Sequence, residues 1–327
     1  ERGLGAYSFL TCMNFVHTPV LLQECLQLLA PETPDPLLID GTLGEGGHSE
    51  AFLNRFPQLK VIGIDADPAI QAKAKVRLAP FGNRVRFFLG WSDDFFDQYP
   101  QDNPAPSLIL FDLGISLFHY TESKRGFSFS ADEPLDMRIN PDESLTAADI
   151  VNTYSEKKLA DVLYLYAEER FSRPIARAVV AEREKHPFTE ARQLSETVFH
   201  AVPARFRHGP IHPATKTFQA LRIAVNSELD RLPRLLEKAF ACLAEGGKMG
   251  VISFHSLEDR IVKLFFRDLA KSCICPPEMP ICTCGGTPRA ALLTKKPVCP
   301  SAEETAANAP SRSARLRVIK KLSLRRS

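Results

Sequence analysis

The glycine-rich segment 37–48, with the sequence LLIDGTLGEGGH, constrains the fold of this chain more than any other feature. A short apolar run ends in Asp40, and the residues from His48 onward have the pattern of a helix start. Four glycines lie between them: Gly41, Gly44, Gly46 and Gly47. A strand, a tight glycine turn and a helix N-terminus predict a nucleotide cradle, because glycine permits close backbone approach and the first helical turn offers unpaired N–H groups. Ser49 replaces the third glycine of the dinucleotide fingerprint, so the loop alone does not identify the ligand.

Apolar runs typical of buried strands alternate with helical stretches up to residue 112. These runs lie at 37–40, 60–65, 85–89 and 108–112. The alternation predicts an α/β fold with a parallel sheet, in which ligands collect at the carboxyl ends of the strands. Asp40, Asp65 and Asp112 occupy three of those ends, and Asp65 follows the loop at roughly the 20-residue spacing of a ribose-binding carboxylate. A single acid there is usually a cap or a turn former, but three around one loop favour a ligand site.

Composition excludes some classes of function but does not identify a single one. The chain has 327 residues, of which 44% are hydrophobic, enough for a large core. The formal net charge is only +2, so any nucleic-acid surface must be a local basic patch. No apolar run is long enough to span a membrane, and no signal peptide is evident, so we expect a cytoplasmic protein. Residues 1–13 are expected to be a disordered extension.

The pattern changes after residue 120. Helical patterns replace strands over residues 121–215, beginning at candidate N-cap residues Thr146, Ser155, Ser172 and Thr189. We therefore expect a first α/β part at 14–120, an all-helical insertion at 121–215 and a second α/β part at 216–327.

The second α/β part is expected to begin with one long helix at about 215–243 and to continue with a fifth strand at 248–254. Ser256 is the expected N-cap of the next helix, with Asp259 at its third position. The alternating residues 313–319 predict an edge strand.

Two groups of residues leave alternatives open. Arg173 and Arg177, with the loop 205–216, form either solvated helix faces or a phosphate-binding surface. The cysteines at 273, 275, 282 and 284 are either reduced thiols or zinc ligands. Their within-pair spacing of one residue is tighter than that of usual zinc sites, so we expect no metal.

Eight motifs carry a family resemblance. They are HTPVL (17–21), DGTLGEGGHS (40–49), DLGIS (112–116), RGFSF (125–129), PLDMR (134–138), EER (168–170), HPATKTFQALR (212–222) and SFHSLEDR (253–260). In this order they closely resemble the bacterial ribosomal RNA small subunit methyltransferase H family. The resemblance implies a Rossmann-like class I methyltransferase sheet with an inserted helical substrate-recognition domain. It also implies methyl transfer from S-adenosylmethionine to N4 of a decoding-centre (P-site) cytidine in 16S rRNA. The implied partner is 16S rRNA within the small ribosomal subunit, and a homodimer is left open.

The resemblance also implies roles for individual residues. The implied cofactor contacts are Gly46, Gly47, His48, Asp65, Ser92, Asp112 and His119. The chain departs from the usual family pattern at Trp91-Ser92 and at Leu117-Phe118-His119, and Trp91 is an alternative cover for the adenine.

The transfer also requires a proton acceptor and contacts to the RNA. Candidate acceptors for the departing amino proton are Asp112 first, then Asp136 and His255. Candidate RNA contacts are Phe127, Phe129, Arg138 and Phe218 for the base, and Arg173, Arg177, Lys216 and Arg222 for phosphates. From the residues alone, a nicotinamide dehydrogenase and a non-catalytic RNA-binding factor remain rival functions.

Overall fold

One sheet of seven strands organises the part of the chain that the computed structural model describes, residues 18–99, 103–129, 132–209, 211–273, 275, 279 and 286–323. The strands are β1 (Leu37–Asp40), β2 (Lys60–Asp65), β3 (Val85–Leu89), β4 (Leu108–Asp112), β5 (Lys248–Ser253), β6 (Ala290–Leu292) and β7 (Arg315–Lys321). Their spatial order is β3-β2-β1-β4-β5-β7-β6. The first five strands pair in parallel, which confirms the predicted α/β class and the Rossmann-like sheet that the resemblance implies. The expected disordered extension 1–13 lies outside the described residues.

The prediction that 313–319 forms an edge strand is wrong. β7 pairs antiparallel with β5 on one side and with β6 on the other, so it lies inside the sheet. Its alternating pattern does not reflect a solvent-facing edge, because Leu316, Val318 and Ile319 are all fully buried. The short strand β6, which sequence reasoning missed, covers the outer side of β7.

Thirteen α-helices connect and cover these strands in the described part of the chain. They are α1 (Leu22–Leu28), α2 (Gly47–Arg55), α3 (Pro68–Leu78), α4 (Ser92–Gln98), α5 (Leu117–Thr121), α6 (Ala147–Thr153), α7 (Glu156–Ala167), α8 (Ser172–Arg183), α9 (Ala191–Ala201), α10 (Ala214–Asn226), α11 (Glu228–Cys242), α12 (Ser256–Leu269) and α13 (Ala302–Ala307). Within these same ranges, none combines the length and the apolar character that a membrane span requires.

The predicted helix caps are partly correct. Thr146 and Ser155 cap α6 and α7 through their side chains, as expected. Ser172 and Thr189 do not cap α8 and α9, because the N-cap positions fall on Phe171 and Glu190 instead.

The single long helix expected at 215–243 is wrong, because the chain breaks between α10 and α11. Ser227 has φ +52°, a left-handed conformation that ends α10 and begins α11. The side chain of Asn226 holds this break: its Oδ1 accepts a hydrogen bond from the Ile139 amide, and its Nδ2 donates to the Met137 carbonyl, both at 2.8 Å. These contacts tie the end of α10 to a loop that lies far away in the sequence.

Alternate residues of each central strand enter opposite hydrophobic layers of the sheet, as the two-residue period of a strand requires. Ile39 and Ile109 pack with α4, α11 and α12, whereas Leu38 and Leu108 pack with α1, α2 and α3. A third group of buried apolar residues, most of them between Phe127 and Val225, packs α6–α10 together. These helices lie between β4 and β5 in the sequence. Because α10 belongs to this group, the helical unit between these strands includes packing residues beyond 215. The exact domain limits stay a prediction.

Candidate active site

A cavity of about 180 Å³ opens at the carboxyl ends of β1, β2 and β4. The glycine loop forms one wall, and Asp65 and Asp112 stand at the ends of β2 and β4. The remaining walls come from the start of α4, from α5 and from the junction of α10 with α11. This is the edge at which a parallel sheet places its ligand.

The glycine loop has two positions that require glycine for different reasons. Gly44 has φ +54°, and its amide donates to Oδ2 of Asp65 at 2.8 Å. At Gly47, the first residue of α2, an added Cβ would lie 2.6 Å from Cγ of Pro19. Gly47 and His48 line the cavity, whereas Gly46 faces Leu78 of α3 behind it.

Two of the three strand-end acids line the cavity. Asp65 accepts backbone hydrogen bonds from Gly44 and Asp67, so its carboxylate is held rigidly. Asp40 does not reach the cavity; its Oδ2 accepts a 2.7 Å hydrogen bond from Oγ of Ser49 and joins β1 to α2. Burial raises the pKa of Asp40 to about 6. Asp40 is therefore a structural acid in this fold.

Asp112 is the acid best placed for chemistry. Its Oδ1 is buried and has no hydrogen-bond partner among the described residues, while Oδ2 lies 3.7 Å from Nδ1 of His48. Burial, together with the charges of Asp40 and Glu258, raises the pKa of Asp112 well above its ordinary value. The other ring nitrogen of His48 lies 3.0 Å from the carbonyl oxygen of Val20, which fixes the imidazole orientation. Asp112 thus presents one uncommitted carboxyl oxygen in the cavity wall.

His119 and Asp93 each have a further buried polar atom that makes no hydrogen bond within the described residues. Nε2 of His119 lies 3.1 Å from Oδ2 of Asp67, while its buried Nδ1 makes no hydrogen bond within the described residues. Asp93 accepts a 2.7 Å hydrogen bond from Arg231 at Oδ1. Its buried Oδ2 accepts no hydrogen bond there, although Nη1 of Arg234 lies 3.8 Å away. Buried polar atoms are normally satisfied, so these atoms fit a polar ligand that would complete them.

Sequence reasoning missed Asp93, although the acidic pair 93–94 after the third strand was a usable signal. Ser92, the predicted contact beside it, lines the cavity and donates its hydroxyl to the Gly41 carbonyl. Trp91 also lines the cavity, and its indole N–H donates to Glu143 at 3.0 Å. The Cζ atom of Arg231 lies 4.8 Å from the Trp91 ring centre. The wall therefore has an aromatic face bordered by charged groups.

A second cavity, of about 430 Å³, adjoins the first. Its walls include the rings of Phe127, Phe129 and Phe218, and it shares Gly114, Ile115 and Phe254 with the first cavity. The two cavities therefore meet immediately after Asp112 at the end of β4. Gly114 has φ +97° at this junction, a conformation that favours glycine.

His255 lies in the wall of the second cavity and also caps α12. The expected cap at Ser256 is wrong, because Nδ1 of His255 accepts from the Glu258 amide and Glu258 is the third helical residue. Nε2 of His255 lies 3.0 Å from Oε1 of Glu258. Burial raises the pKa of Glu258, but the contact with His255, the hydrogen bond from the Phe254 amide and the charge of Arg222 together make the net shift downward. Asp259 instead pairs with Arg317 on β7.

Asp136 and Arg138 lie at neither cavity. Arg138 donates through Nε and Nη2 to both carboxylate oxygens of Asp136, each at 2.8 Å. Its Nη1 also donates to the carbonyl oxygens of Pro141 and Glu143. Burial raises the pKa of Asp136, but the paired guanidinium holds it below its ordinary value overall. The ion pair therefore stabilises the conformation of the loop that contains it.

The remaining predicted RNA residues occupy different environments. Phe218 and Arg222 line the second cavity, but Arg222 forms a half-buried ion pair with Glu228 at 2.8 Å. Arg177 lies 3.6 Å from Glu156, and Lys216 donates to the Glu168 carbonyl at 3.1 Å. Arg173 is exposed. Cys282 and Cys284 lie outside the described residues, and no group of metal-ligating side chains occurs within them.

Comparisons with known proteins agree over nearly the whole chain. A family model described as the MraW methylase family matches residues 14–322. The chain is 63% identical to the Ribosomal RNA small subunit methyltransferase H of Treponema denticola, over 96% of this chain and 100% of that protein. Proteins of the same name from Treponema pallidum and Carboxydothermus hydrogenoformans are 50% and 46% identical. Each match covers 95% of this chain, and 94% and 99% of the respective relative.

Proposed function

The chain belongs to the MraW methylase family, and on that basis we propose that it methylates N4 of the P-site cytidine in 16S rRNA, using S-adenosylmethionine. The relatives are named for the ribosomal RNA of the small subunit, which supports an rRNA substrate. The observation that carries the proposal is the junction of two cavities at Gly114, Ile115 and Phe254, next to Asp112. A donor and an acceptor bound on the two sides of this junction would meet beside an acid.

The first cavity suits the methyl donor. S-adenosylmethionine supplies an electrophilic methyl group on a positively charged sulfur when it is bound. Asp65 and Asp112 give the cavity two carboxyl groups, and their ionised forms suit a cationic ligand better than a phosphate. Oδ2 of Asp93 and Nδ1 of His119, which make no hydrogen bond within the described residues, can satisfy amino and hydroxyl groups of a nucleoside. The absent third glycine fits this assignment, because no pyrophosphate needs to approach the loop.

The second cavity suits an unstacked base. Phe127, Phe129 and Phe218 line it, and aromatic side chains replace the stacking that a base loses when it leaves its strand. His255 gives the same wall a polar group whose position is fixed by Glu258. These residues would orient the base and exclude water from the junction.

Asp112 is the proposed proton acceptor. The lone pair of the cytosine amino group is delocalised into the ring, so a hydrogen bond from N4–H to Oδ1 of Asp112 would favour attack. As the N4–methyl bond forms and the sulfur–methyl bond breaks, one N4 proton passes to this carboxylate. Asp112 must be ionised beforehand, and a neighbouring positive charge would offset the effect of burial on its pKa.

The test is mass spectrometry of 16S rRNA after small ribosomal subunits are incubated with the protein and isotopically labelled S-adenosylmethionine. We expect the label on N4 of one cytidine, and none in subunits incubated without the protein. Label on carbon C5, on another nucleotide or nowhere in the rRNA would overturn the proposal. Calorimetry with S-adenosylmethionine and with a nicotinamide dinucleotide separates this function from the dehydrogenase alternative.

A further inference from the structure

Two arginines of the helical unit, Arg170 and Arg205, differ from the basic residues described above. Their Cζ atoms lie 4.1 and 4.8 Å from the ring centre of Phe206. Both side chains are exposed, and neither makes an ion pair or hydrogen bond with any residue in the described ranges. A guanidinium stacked on a ring keeps its N–H groups available at the edge. The two arginines therefore carry unused, positively charged donors at one place.

The ring beneath these arginines is held firmly. Phe206 packs against Phe171 with ring centres 5.3 Å apart, and Arg170 also lies 4.6 Å from the Phe171 ring. The next residue, Arg207, donates through Nε and Nη2 to the carbonyls of Val202 and His200, each at 2.8 Å. Because Arg207 fixes the loop by its own hydrogen bonds, the positions of Phe206 and Arg205 are defined.

A stack of three rings, Phe129, His212 and Phe199, connects this loop to the second cavity. Phe129 lies in the cavity wall, and its ring centre is 4.7 Å from that of His212 at 25°. His212 is 5.8 Å from Phe199 at 20°. Burial lowers the pKa of His212, so the middle ring stays uncharged at neutral pH. The loop that carries Arg205 is therefore built onto the wall of the base cavity.

The residue two positions before Arg170 contacts side chains that are adjacent in sequence to residues of the second cavity. Glu168, which ends α7 with φ +49°, accepts a hydrogen bond from Lys216 at its carbonyl. Its carboxylate accepts a 3.4 Å hydrogen bond from Ser256. Thr215, which precedes Lys216, and His255, which precedes Ser256, both line the second cavity. Both arginines therefore belong to segments that border the base cavity.

We propose that Arg170 and Arg205 form a clamp for backbone phosphates of the single-stranded RNA that adjoins the methylated nucleotide. The identity of that nucleotide rests on the proposed function, but the clamp itself requires only an RNA strand entering the second cavity. Guanidinium groups bind phosphate oxygens through two parallel hydrogen bonds, and basic residues interleaved with aromatic rings are typical of single-strand binding surfaces. With a net charge of only +2, such a local cluster is where phosphate attraction must be concentrated.

The clamp can be measured without any methyl transfer. The full chain, saturated with S-adenosylhomocysteine, is titrated against a fluorescent single-stranded RNA containing the target cytidine at several salt concentrations. For Arg170→Ala/Arg205→Ala we expect about tenfold weaker binding and a salt slope reduced by about 1.4, since each lost phosphate contact on a single strand is worth about 0.7.

Matched variants define the outcome. The control, Lys157→Ala/Arg267→Ala, removes two exposed charges that are paired with Asp161 and Asp268, and should leave both quantities unchanged. The Arg170→Lys/Arg205→Lys variant keeps the charges but loses the stacked fork, so it should retain most of the slope with intermediate affinity. Calorimetric binding of S-adenosylhomocysteine shows whether each variant is folded. If the double alanine variant does not bind S-adenosylhomocysteine, the single variant Arg205→Glu is measured instead.

An unchanged affinity and salt slope in the alanine variant would overturn the clamp. So would unchanged binding to RNA combined with weaker binding to assembled subunits, because the partner would then be a protein. The labelling experiment on 16S rRNA fails or succeeds independently, since it reports where the wild-type protein places a methyl group.

Discussion

The carboxyl group of Asp112 lies 3.7 Å from Nδ1 of His48 through one oxygen, and its other oxygen accepts no hydrogen bond from the described residues. This arrangement leaves a single buried acceptor next to the junction of the two cavities. If that oxygen takes the amino proton, its removal should slow the chemical step rather than prevent ligand binding.

For Asp112→Asn we expect a loss of about 100-fold or more in the methyl-transfer rate, within the range of general base catalysis. Affinity for S-adenosylhomocysteine, measured by calorimetry, should change much less than the rate. Asp136→Asn is the control, because Asp136 pairs with Arg138 away from both cavities. Full activity in Asp112→Asn, or an equal loss in the control, would remove Asp112 from this role.

The pKa of Asp40, raised by burial to about 6, has a consequence for stability. A carboxyl group whose pKa is higher in the folded state binds more protons folded than unfolded, so it favours folding at low pH and opposes it once ionised. Between about pH 5 and about pH 8 it should remove about 1–2 kcal/mol from the free energy of unfolding. Urea denaturation at both pH values should show a smaller pH difference in Asp40→Asn; an identical difference would contradict the raised pKa.

Asp93 should contribute to nucleoside binding through Oδ2, which accepts no hydrogen bond from the described residues. We expect Asp93→Asn to weaken S-adenosylhomocysteine binding about 10-fold or more, the magnitude of one hydrogen bond to a charged group. Asp94→Asn is a closely matched control, because Asp94 also lies near Arg231, at 3.4 Å, but does not line the cavity. Calorimetric affinities that fall equally in both variants would attribute the effect to Arg231 instead.

Asn226 should be important for stability, because its side chain satisfies three backbone groups at the α10–α11 break. Replacement by alanine leaves buried donors and acceptors unpaired, and we expect about 2–4 kcal/mol of destabilisation in chemical denaturation. Asn308→Ala removes an exposed contact to the Thr18 carbonyl and should cost about 0.5 kcal/mol or less. Similar losses in the two variants would show that the break does not depend on Asn226.

The sequence predicted those parts of the fold that depend on local patterns. The five parallel strands follow from apolar runs, and the caps at Thr146 and Ser155 follow from signals that act within a few residues. Strand position is different: β7 is interior because it pairs with β5 on one side and with β6 on the other. β5 lies more than 60 residues earlier in the chain, and no local pattern specifies that pairing. The helix break at Ser227 was hidden because α10 and α11 both carry continuous apolar stripes, and only the contacts of Asn226 reveal it.

The candidate site shows the same division. Asp65 and Asp112 were predictable, since strand ends in a parallel sheet share one edge. Whether a basic side chain is available to RNA was not predictable, because that depends on partners such as Glu228 for Arg222 and Asp136 for Arg138. Likewise, Asp93 becomes a candidate ligand contact only because the structure shows that it lies in a cavity wall and is 2% exposed.

The insertion of α6–α10 between β4 and β5 also sets an order of events during synthesis of the chain. Leu108 and Lys248 are neighbours in the sheet although about 140 residues separate them, so the loop between them must be made before they can pair. The interior strand β7 is the last of the described strands to leave the ribosome. Until it emerges, β5 presents an open hydrogen-bonding edge, and the growing chain is vulnerable to mispairing with other nascent chains at that edge.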